Sequence, residues 1–485
     1  MFTYFSTSRL EGAARFLWGL VLLTLPVTSF RYMPDFMGRT LIQPLAFYPL
    51  ALLIPVLLVL FWRARRIPLP ANFNLLLAFL LFALIGSLLG ALYAALPLRG
   101  AQYEERVLRG WLSLLIGLAF FFAAFWMNRS EKDLHNSLNW IYASLALTIA
   151  WSLVQAVAVN TSLIPRNLVN QIQLLFSVRP LLVRRISGFA YESAWLADQI
   201  VIFYLPWVFA AFFTGRRLFK QGWLEPVLIF LSLAVLVFTY SRGGLFSAAL
   251  CLLAVFILMG RHLIRRARAW LARPLSAPGL WLRLGLLFAI VLTLVAAGAF
   301  LSRYEYFSNI WALGNQEDPL GYLVDIGAGQ RLAYATAGYR VFAEQPLTGV
   351  GLGASGLYLL PKYPDWSVLI PEVARQLSPD SNLIPNTKSL YVRLLAETGL
   401  PGFWLFVVFF VSFLAIILRM HASGTPFLRF VAVAGLFGWF GIALRNLTQD
   451  SFTIPIMWVM LGMVVGLVPV SPRVFRPKGG EMNYR

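Results

Sequence analysis

Basic side chains stand next to apolar runs at two points of the sequence, where they could bind an anion. RRISGFAYESAW (184–195) carries Arg184 and Arg185 just before an apolar run, with Glu192 at its start. TYSRGG (239–244) puts Arg242 in a very short link between two apolar runs. A guanidinium has several donors in a fixed geometry that suits phosphate oxygens. The structural alternative is that these arginines only extend to lipid headgroups.

A longer polar segment further along the chain carries Arg331 on a predicted helix. In GAGQRLAYATAGYRVFAEQP, Arg331, Tyr334 and Gly338 recur at helical spacing, and Pro346 predicts that the helix ends soon after Glu344. The residues that follow, TGVGLGASG, predict a flexible turn. This turn does not stand between a strand and a helix, so it is not typical of a dinucleotide site.

NTKSLYVRLLAETGLPG predicts a second helix, with Asn386 as its N-cap. Lys388 and Tyr391 would share one face of it, and the ordinary interpretation of Arg393 is an ion pair with Glu397 one turn later. A cation near a helix start is disfavoured by the helix dipole, which makes Lys388 the more unusual residue. Together the basic residues could converge on one polyanionic group and stabilise the charge of a leaving diphosphate without a metal.

The elements that position these residues are predicted to be membrane helices. Of the 485 residues, 59% are hydrophobic and 12% are charged, whereas soluble domains have about a quarter charged residues. We predict an all-α integral membrane protein with about twelve transmembrane helices. The candidate spans are Ala13–Phe30, Leu41–Trp62, Leu75–Leu96, Gly110–Met127, Leu138–Val159, Ala194–Thr214, Leu224–Tyr240, Leu245–Gly260, Leu282–Leu301, Gly402–Leu418, Phe430–Leu444 and Ile456–Val470.

The net charge of +20 is explained mainly by orientation. Most basic residues of the short loops fall on the side of the N-terminus, which predicts that both termini are cytoplasmic. Nucleic acid is therefore not an expected partner. The first run lacks a small-residue cleavage site, so we expect a retained span.

The chain divides into three expected parts. Residues 1–301 hold the first nine spans and an outer loop at 160–193, residues 302–401 form a large outer loop with short helices, and residues 402–485 hold the last three spans and a cytoplasmic tail. The histidines fall in inner loops, and the single cysteine excludes a disulfide framework. No metal-ligand spacing occurs in the outer segments, so we expect neither a metal nor another cofactor.

The motifs, in their order and topology, resemble those of the O-antigen ligase and O-antigen polymerase family. They are RRISGFAYES, the SRGG turn, QRLAYATAGYRVFAEQPLTGVGLGASG and KSLYVRLLAETGLPG. The family consists of multi-span bacterial glycosyltransferases of the lipid-linked GT-C type. The resemblance implies an undecaprenyl-diphosphate-linked glycan donor, an acceptor at the outer face of the cytoplasmic membrane, and arginines that hold the diphosphate. By motif match these are Arg185, Arg242 and Arg331, beside Arg184.

The resemblance also bears on the reaction. Ligases typically have His-Asn where this chain has Lys388-Ser389, so a polymerase-like enzyme with a glycan or lipid-linked acceptor is the first expectation and a ligase the second. Lys388 would serve as another diphosphate-binding cation, and Glu192 would take the proton of an acceptor hydroxyl in an inverting transfer. Tyr391 and Trp366 could stack on sugars. The rival of another class is a polysaccharide transporter or flippase, and a still simpler one is an inactive assembly protein.

Overall fold

The described part of the chain consists of α-helices, most of the long ones formed by apolar runs, and two very short strands. The computed structural model describes residues 7–33, 42–65, 67–216, 219, 221–260, 319–325, 327–468 and 473–475, with isolated residues between 261 and 318. The helices are α1 Thr7–Thr24, α2 Phe47–Ala64, α3 Phe73–Gly90, α4 Tyr103–Met127, α5 Glu131–Asn160, α6 Arg166–Phe176, α7 Ser193–Thr214, α8 Leu224–Phe238, α9 Arg242–Met259, α10 Pro319–Asp325, α11 Gly329–Glu344, α12 Pro371–Leu377, α13 Leu390–Ala422, α14 Pro426–Arg445 and α15 Pro455–Gly466.

The prediction of an all-α membrane protein is confirmed. Eight helices of the described part are long and apolar enough to cross a membrane, and α8 and α15 are shorter apolar helices. Every predicted span overlaps a helix except Leu282–Leu301, which lies almost entirely outside the described residues. The count of twelve spans is therefore not established. The first helix is shifted toward the N-terminus relative to the prediction, because Pro26 follows its last turn and disfavours helix before it.

A buried group of helices forms the centre of the bundle. Helix α15 is buried along its whole length and packs on α4, while α14 packs on α7, α9 and α13. A β-carbon at Gly117 of α4 would collide with the indole of Trp458, so glycine allows α4 and α15 to approach closely. Peripheral helices such as α2 and α3 leave Leu52, Leu81 and Leu88 exposed, as expected of surfaces that face lipid.

The loops sort into two ends, which we name inner and outer after the topology that the charges predict. At the inner end, strand β1 (Ile67–Leu69) pairs antiparallel with β2 (Arg473–Phe475). At the outer end, Arg31 donates to the carbonyl of Leu174, and Arg99 donates to the carbonyl of Gln376 at 2.6 Å. These contacts join segments that the charge pattern places on the same side.

The outer segment 327–389 forms most of a second small core, to which Tyr103 of α4 and Ala396 of α13 also belong. Its helix α11 ends at Glu344 as predicted, and buries Tyr334, Ala337 and Val341 against α12 and neighbouring turns. The Tyr334 hydroxyl donates to Glu372 Oε1 at 2.8 Å and accepts a hydrogen bond from Gln376 Nε2. Burial, and then the neighbouring carboxylate, raise the pKa of Tyr334 far above its usual range. This cluster holds α11 in place.

The second predicted helix of this segment begins later than expected. It starts at Leu390 with Ser389 as its N-cap, so the predicted N-cap at Asn386 is wrong. Lys388 lies before the helix with a left-handed φ of 52°, and does not share a helical face with Tyr391. The helix is interrupted at Gly399, where φ is 64°, and continues as the membrane helix to Ala422.

Candidate functional site

The segment with Arg184 and Arg185 packs against the outer end of α8. Arg185 Nε donates to the carbonyl of Thr239 at 2.9 Å, and the backbone N–H of Ile186 donates to the carbonyl of Phe238. The Arg184 side chain is exposed. Thr239 begins the TYSRGG turn, so the first two basic motifs are adjacent in the structure although they are far apart in sequence.

A buried glutamine fixes the turn that follows these arginines. Gln155 Oε1 accepts hydrogen bonds from the backbone N–H groups of Ser187 and Gly188, at 3.0 and 2.8 Å. Its Nε2 donates to the carbonyl of Gly188 at 3.0 Å. Gly188 has a φ of 57°, a region that glycine occupies without steric cost. The arginine segment is thus held by α5 as well as α8.

Arg242 is the first residue of α9 rather than part of the preceding link. Ser241 caps the helix, because its Oγ accepts the N–H of Gly244 at 3.1 Å. A β-carbon on Gly244 would lie 2.5 Å from Cβ of Ala197, so glycine lets α9 pack directly on α7. The helix start therefore presents Arg242 at the outer end, beside the helix that carries Glu192.

The beginning of α11 lies beside Arg242. A β-carbon on Gly327 would lie 3.6 Å from Nη2 of Arg242 and 3.8 Å from Nε2 of Gln330. Gly327 has a φ of 68°, and Arg331 follows in the first turn of α11 with its side chain exposed. The structure thus brings the segments of Arg185, Arg242 and Arg331 to one place at the outer end.

Glu192 lies at the N-terminus of α7, where its backbone carbonyl accepts the N–H groups of Trp195 and Leu196. Its side chain, 43% exposed, forms an ion pair with Arg179 at 2.8 Å. The Arg179 guanidinium also stacks over the ring of Tyr191, 4.9 Å from its centroid. Glu192 is accessible and its partner is half-exposed, so the carboxylate can exchange partners at little cost.

Lys388 is connected to this region only indirectly, through the end of α14. Its backbone N–H donates to Asp450 Oδ2 at 3.3 Å, and the next residue, Ser389, donates to the carbonyl of Asn446 at 3.3 Å. Arg445, which precedes Asn446, forms an ion pair with Asp198 of α7. The end of α14 therefore bridges the Lys388 segment and the helix that begins at Glu192.

The two predicted sugar-stacking residues occupy different settings. The hydroxyl of Tyr391 donates to the carbonyl of Ala443 at 3.0 Å, so its polar end is directed to α14. Trp366 lies in a short turn of the outer segment and packs partly on its core. Ile370 of that core contacts α11, since its Cδ1 would lie 3.3 Å from a β-carbon on Gly329. The turn that carries Trp366 also packs on α11.

The glycine-rich turn after α11 is packed tightly, and the prediction of a flexible turn is wrong. The N–H groups of Val350 and Gly351 donate to the carbonyls of Ala396 and Glu397, at 2.9 and 3.0 Å. The N–H of Leu352 donates to Ser87 Oγ. Because these amides already have partners, the turn serves to join the outer segment to α13.

The predicted pair of Arg393 and Glu397 is confirmed, with Nε and Oε2 2.9 Å apart. Arg393 also donates to the carbonyl of Asp450 at 2.7 Å, and Glu397 accepts the hydroxyl of Ser355 at 2.8 Å. This buried set connects α13 with the glycine-rich turn. It is structural, as the ordinary interpretation of Arg393 predicted.

Sequence reasoning missed the partners Arg179, Asp198 and Arg445. The sequence does mark Asp198 and Arg445 as unusual, because they are charged residues within or at the end of apolar spans. Charges in such positions need a partner. Their pairing could not be inferred without the fold. Of the histidines, His135 and His421 lie at the inner end, and His262 is outside the described residues.

Residues 227–407 match the family model described as O-antigen ligase, a segment that includes Arg242, Arg331, Lys388, Tyr391 and Trp366. No curated protein matches the chain. The resemblance inferred from the motifs is confirmed for residues 227–407 of this multi-pass membrane protein, which are similar to the O-antigen ligase family.

Proposed function

We propose that the protein is a glycosyltransferase that moves a glycan from an undecaprenyl-diphosphate-linked donor to an acceptor hydroxyl. The reaction takes place at the outer face of the bacterial cytoplasmic membrane and elongates a polysaccharide. The observation that carries this proposal is the convergence of three basic segments at one end of the bundle. Arg185 donates to the carbonyl of Thr239, and the Arg242 side chain lies beside Gly327, just before α11. The family match of residues 227–407 supports it.

The basic residues would bind the diphosphate of the donor. Arg184, Arg185, Arg242 and Arg331 supply guanidinium groups for its oxygens, and Lys388 adds an ammonium. Negative charge grows on the diphosphate as the bond to the sugar breaks. Fixed cations at a membrane boundary stabilise that charge more strongly than water does, because the local dielectric constant is lower. Arg242 would contribute most to this charge stabilisation, since its segment lies between those of Arg185 and Arg331.

Glu192 would act as the general base. Its carboxylate is accessible at the start of α7, and its bond to Arg179 is a partly exposed one that an incoming hydroxyl can replace. The acceptor oxygen then attacks the anomeric carbon from the face opposite the diphosphate, which inverts the configuration. Tyr391 and Trp366 would contact the sugar rings.

Chain elongation is preferred over ligation because Lys388-Ser389 replaces the histidine and asparagine typical of ligases. A deletion strain distinguishes the two activities by the glycan that it makes. Loss of long chains, with single repeat units still attached to their final carrier, identifies a polymerase. Loss of attachment, with lipid-linked long chains accumulating, identifies a ligase.

Transport is distinguished from transfer by the purified protein. In liposomes, a glycosyltransferase forms a new glycosidic bond between donor and acceptor and releases undecaprenyl diphosphate. A transporter or flippase moves the donor across the bilayer and leaves it intact. We expect bond formation to persist in the presence of a chelator, and a complete loss that divalent metal restores would contradict metal-independent transfer.

A further inference from the structure

A cavity lined by polar and aromatic side chains lies at the inner end, at the opposite end of the bundle from Arg242. It has a volume of about 220 Å³. On the same measure one water molecule needs about 10–15 Å³, so the cavity can hold a much larger ligand. It opens between the first halves of α1 and α5. Its walls include Arg15, Trp18, Asp133, Asn136, Asn139 and Trp140.

The floor of this cavity is fixed by hydrogen bonds. Trp18 Nε1 donates to Ser137 Oγ at 2.9 Å, and Ser137 Oγ donates to Asn128 Oδ1 at 2.7 Å. A β-carbon on Gly19 would collide with the indole of Trp140, so glycine sets the close approach of α1 and α5. The cavity is therefore a defined feature of this helix pair.

The walls carry one cation, one anion and two amides. Arg15 has 56% of its side chain exposed, and its carboxylate neighbour Glu11 is 3.9 Å away, a separation typical of a weak surface pair. Asp133 accepts the hydroxyl of Ser130 at 2.7 Å and is half-buried. A carboxylate has further acceptor positions, so Asp133 can also bind an ammonium group.

The position suits a lipid headgroup. Both helices begin at this end with charged residues and become apolar within a few turns, and the two tryptophans at the cavity are of the kind enriched at membrane interfaces. A ligand here would have its polar part in the cavity and its acyl chains along α1 and α5. Exposed Phe16 and Leu147 belong to these lipid-facing surfaces.

We propose that this cavity binds a phospholipid with a primary ammonium headgroup, such as phosphatidylethanolamine, from the inner leaflet. Its phosphate contacts Arg15, its ammonium donates to Asp133, and Asn136 and Asn139 bind the remaining polar atoms. A choline headgroup has no N–H donor for Asp133, and a glycerol headgroup has no cation. This proposal is independent of the transferase activity.

The test measures lipid retention by the full chain in native mass spectrometry. The probes are phosphatidylethanolamine, phosphatidylcholine and phosphatidylglycerol with the same acyl chains. We expect the ethanolamine lipid to be retained about tenfold better than the choline lipid, because charge-assisted hydrogen bonds distinguish them. Asp133→Asn should abolish the preference, whereas Arg15→Gln should weaken retention of all three lipids, because each of them carries the phosphate. Arg9→Gln, a charge change on the same helix outside the cavity, should leave both the preference and the retention unchanged.

Two results would overturn the proposal. One is equal retention of the three lipids by the unchanged protein, which would mean that the headgroup is not recognised. The other is displacement of the lipid by soluble phosphoethanolamine at the same concentration, which would assign the cavity to a soluble compound. Folding of each variant is checked by its thermal unfolding, and neither substitution removes the backbone contact by which Ser130 caps α5.

Discussion

Arg445 and Asp198 form an ion pair between the end of α14 and the interior of α7, and their side chains are only 8% and 16% exposed. Asp198 belongs to the helix that begins after Glu192. Arg445 immediately precedes Asn446, whose carbonyl accepts the N–H of Leu390 at 2.9 Å. The pair therefore connects the proposed base with the segment that carries Lys388.

Breaking this pair on one side should strongly destabilise the protein. Arg445→Leu leaves the Asp198 carboxylate buried without its partner, at an expected cost of about 3–5 kcal/mol in the free energy of unfolding. The double variant Arg445→Leu with Asp198→Leu should recover most of that loss, because no buried charge remains. Thermal unfolding in detergent measures both. An unchanged melting temperature for Arg445→Leu alone would show that the pair has no structural role.

Replacing Lys388 by glycine should lower turnover without unfolding the protein. The left-handed φ of 52° costs a non-glycine residue about 1–2 kcal/mol, whereas glycine instead loses about 0.5–1 kcal/mol in backbone entropy. The free energy of unfolding should therefore change little, while the diphosphate loses a cation. Arg65→Gly is the matched control, because Arg65 has a φ of 49° at the inner end. Equal turnover of the two variants would exclude Lys388 from the site.

Glu192→Gln should reduce transfer by about 10²–10⁴-fold and leave donor affinity nearly unchanged. The amide keeps the size of the side chain but cannot take the acceptor proton. Single-turnover transfer and equilibrium binding of the donor separate the two effects. Glu104→Gln, an exposed change at the outer end of α4, should have wild-type kinetics. Wild-type kinetics of Glu192→Gln would show that another group removes the proton.

The outer segment should loosen in strong alkali because of Tyr334. Burial raises the pKa of its hydroxyl above the ordinary value of about 10, so the folded state holds this proton more tightly than the unfolded state. The contribution of this hydroxyl to the free energy of unfolding is therefore fully present below about pH 10. It is lost as the pH rises through the raised pKa. Tyr334→Phe should weaken this alkaline transition, measured by hydrogen exchange of residues 327–389. The control variant Tyr339→Phe changes an exposed tyrosine and should keep the alkaline transition. An identical transition in both variants would show that a group other than Tyr334 causes it.

The sequence was sufficient to predict the long apolar helices in the described part of the chain but not their partners. Apolar runs must form helices in lipid, and Pro346 marked the end of α11 because proline disfavours helix before it. The intrahelical pair of Arg393 and Glu397 was also predictable, since helical spacing alone brings them together.

Other features depend on the tertiary structure. Lys388 has a left-handed backbone because the segment before α13 is held by Asp450 and Asn446 of another part of the chain. The glycine-rich turn looked flexible by composition, yet its amides bind α13 and Ser87. Arg445 and Asp198 were visible as charges in apolar surroundings, but only the packing of α14 on α7 makes them a pair.

The central claim is that Arg242 stabilises a leaving diphosphate, and transfer from a synthetic undecaprenyl-diphosphate-linked donor by purified variants tests it most directly. Arg242→Ala should lower turnover by about 10²–10³-fold, as expected for the loss of one group that stabilises developing charge. Arg242→Lys should be intermediate, because an ammonium cannot bind two oxygens in the same fixed geometry. Arg109→Ala, which removes an exposed cation paired with Glu105 on α4, should have wild-type turnover. A folded Arg242→Ala variant with wild-type turnover would contradict the account.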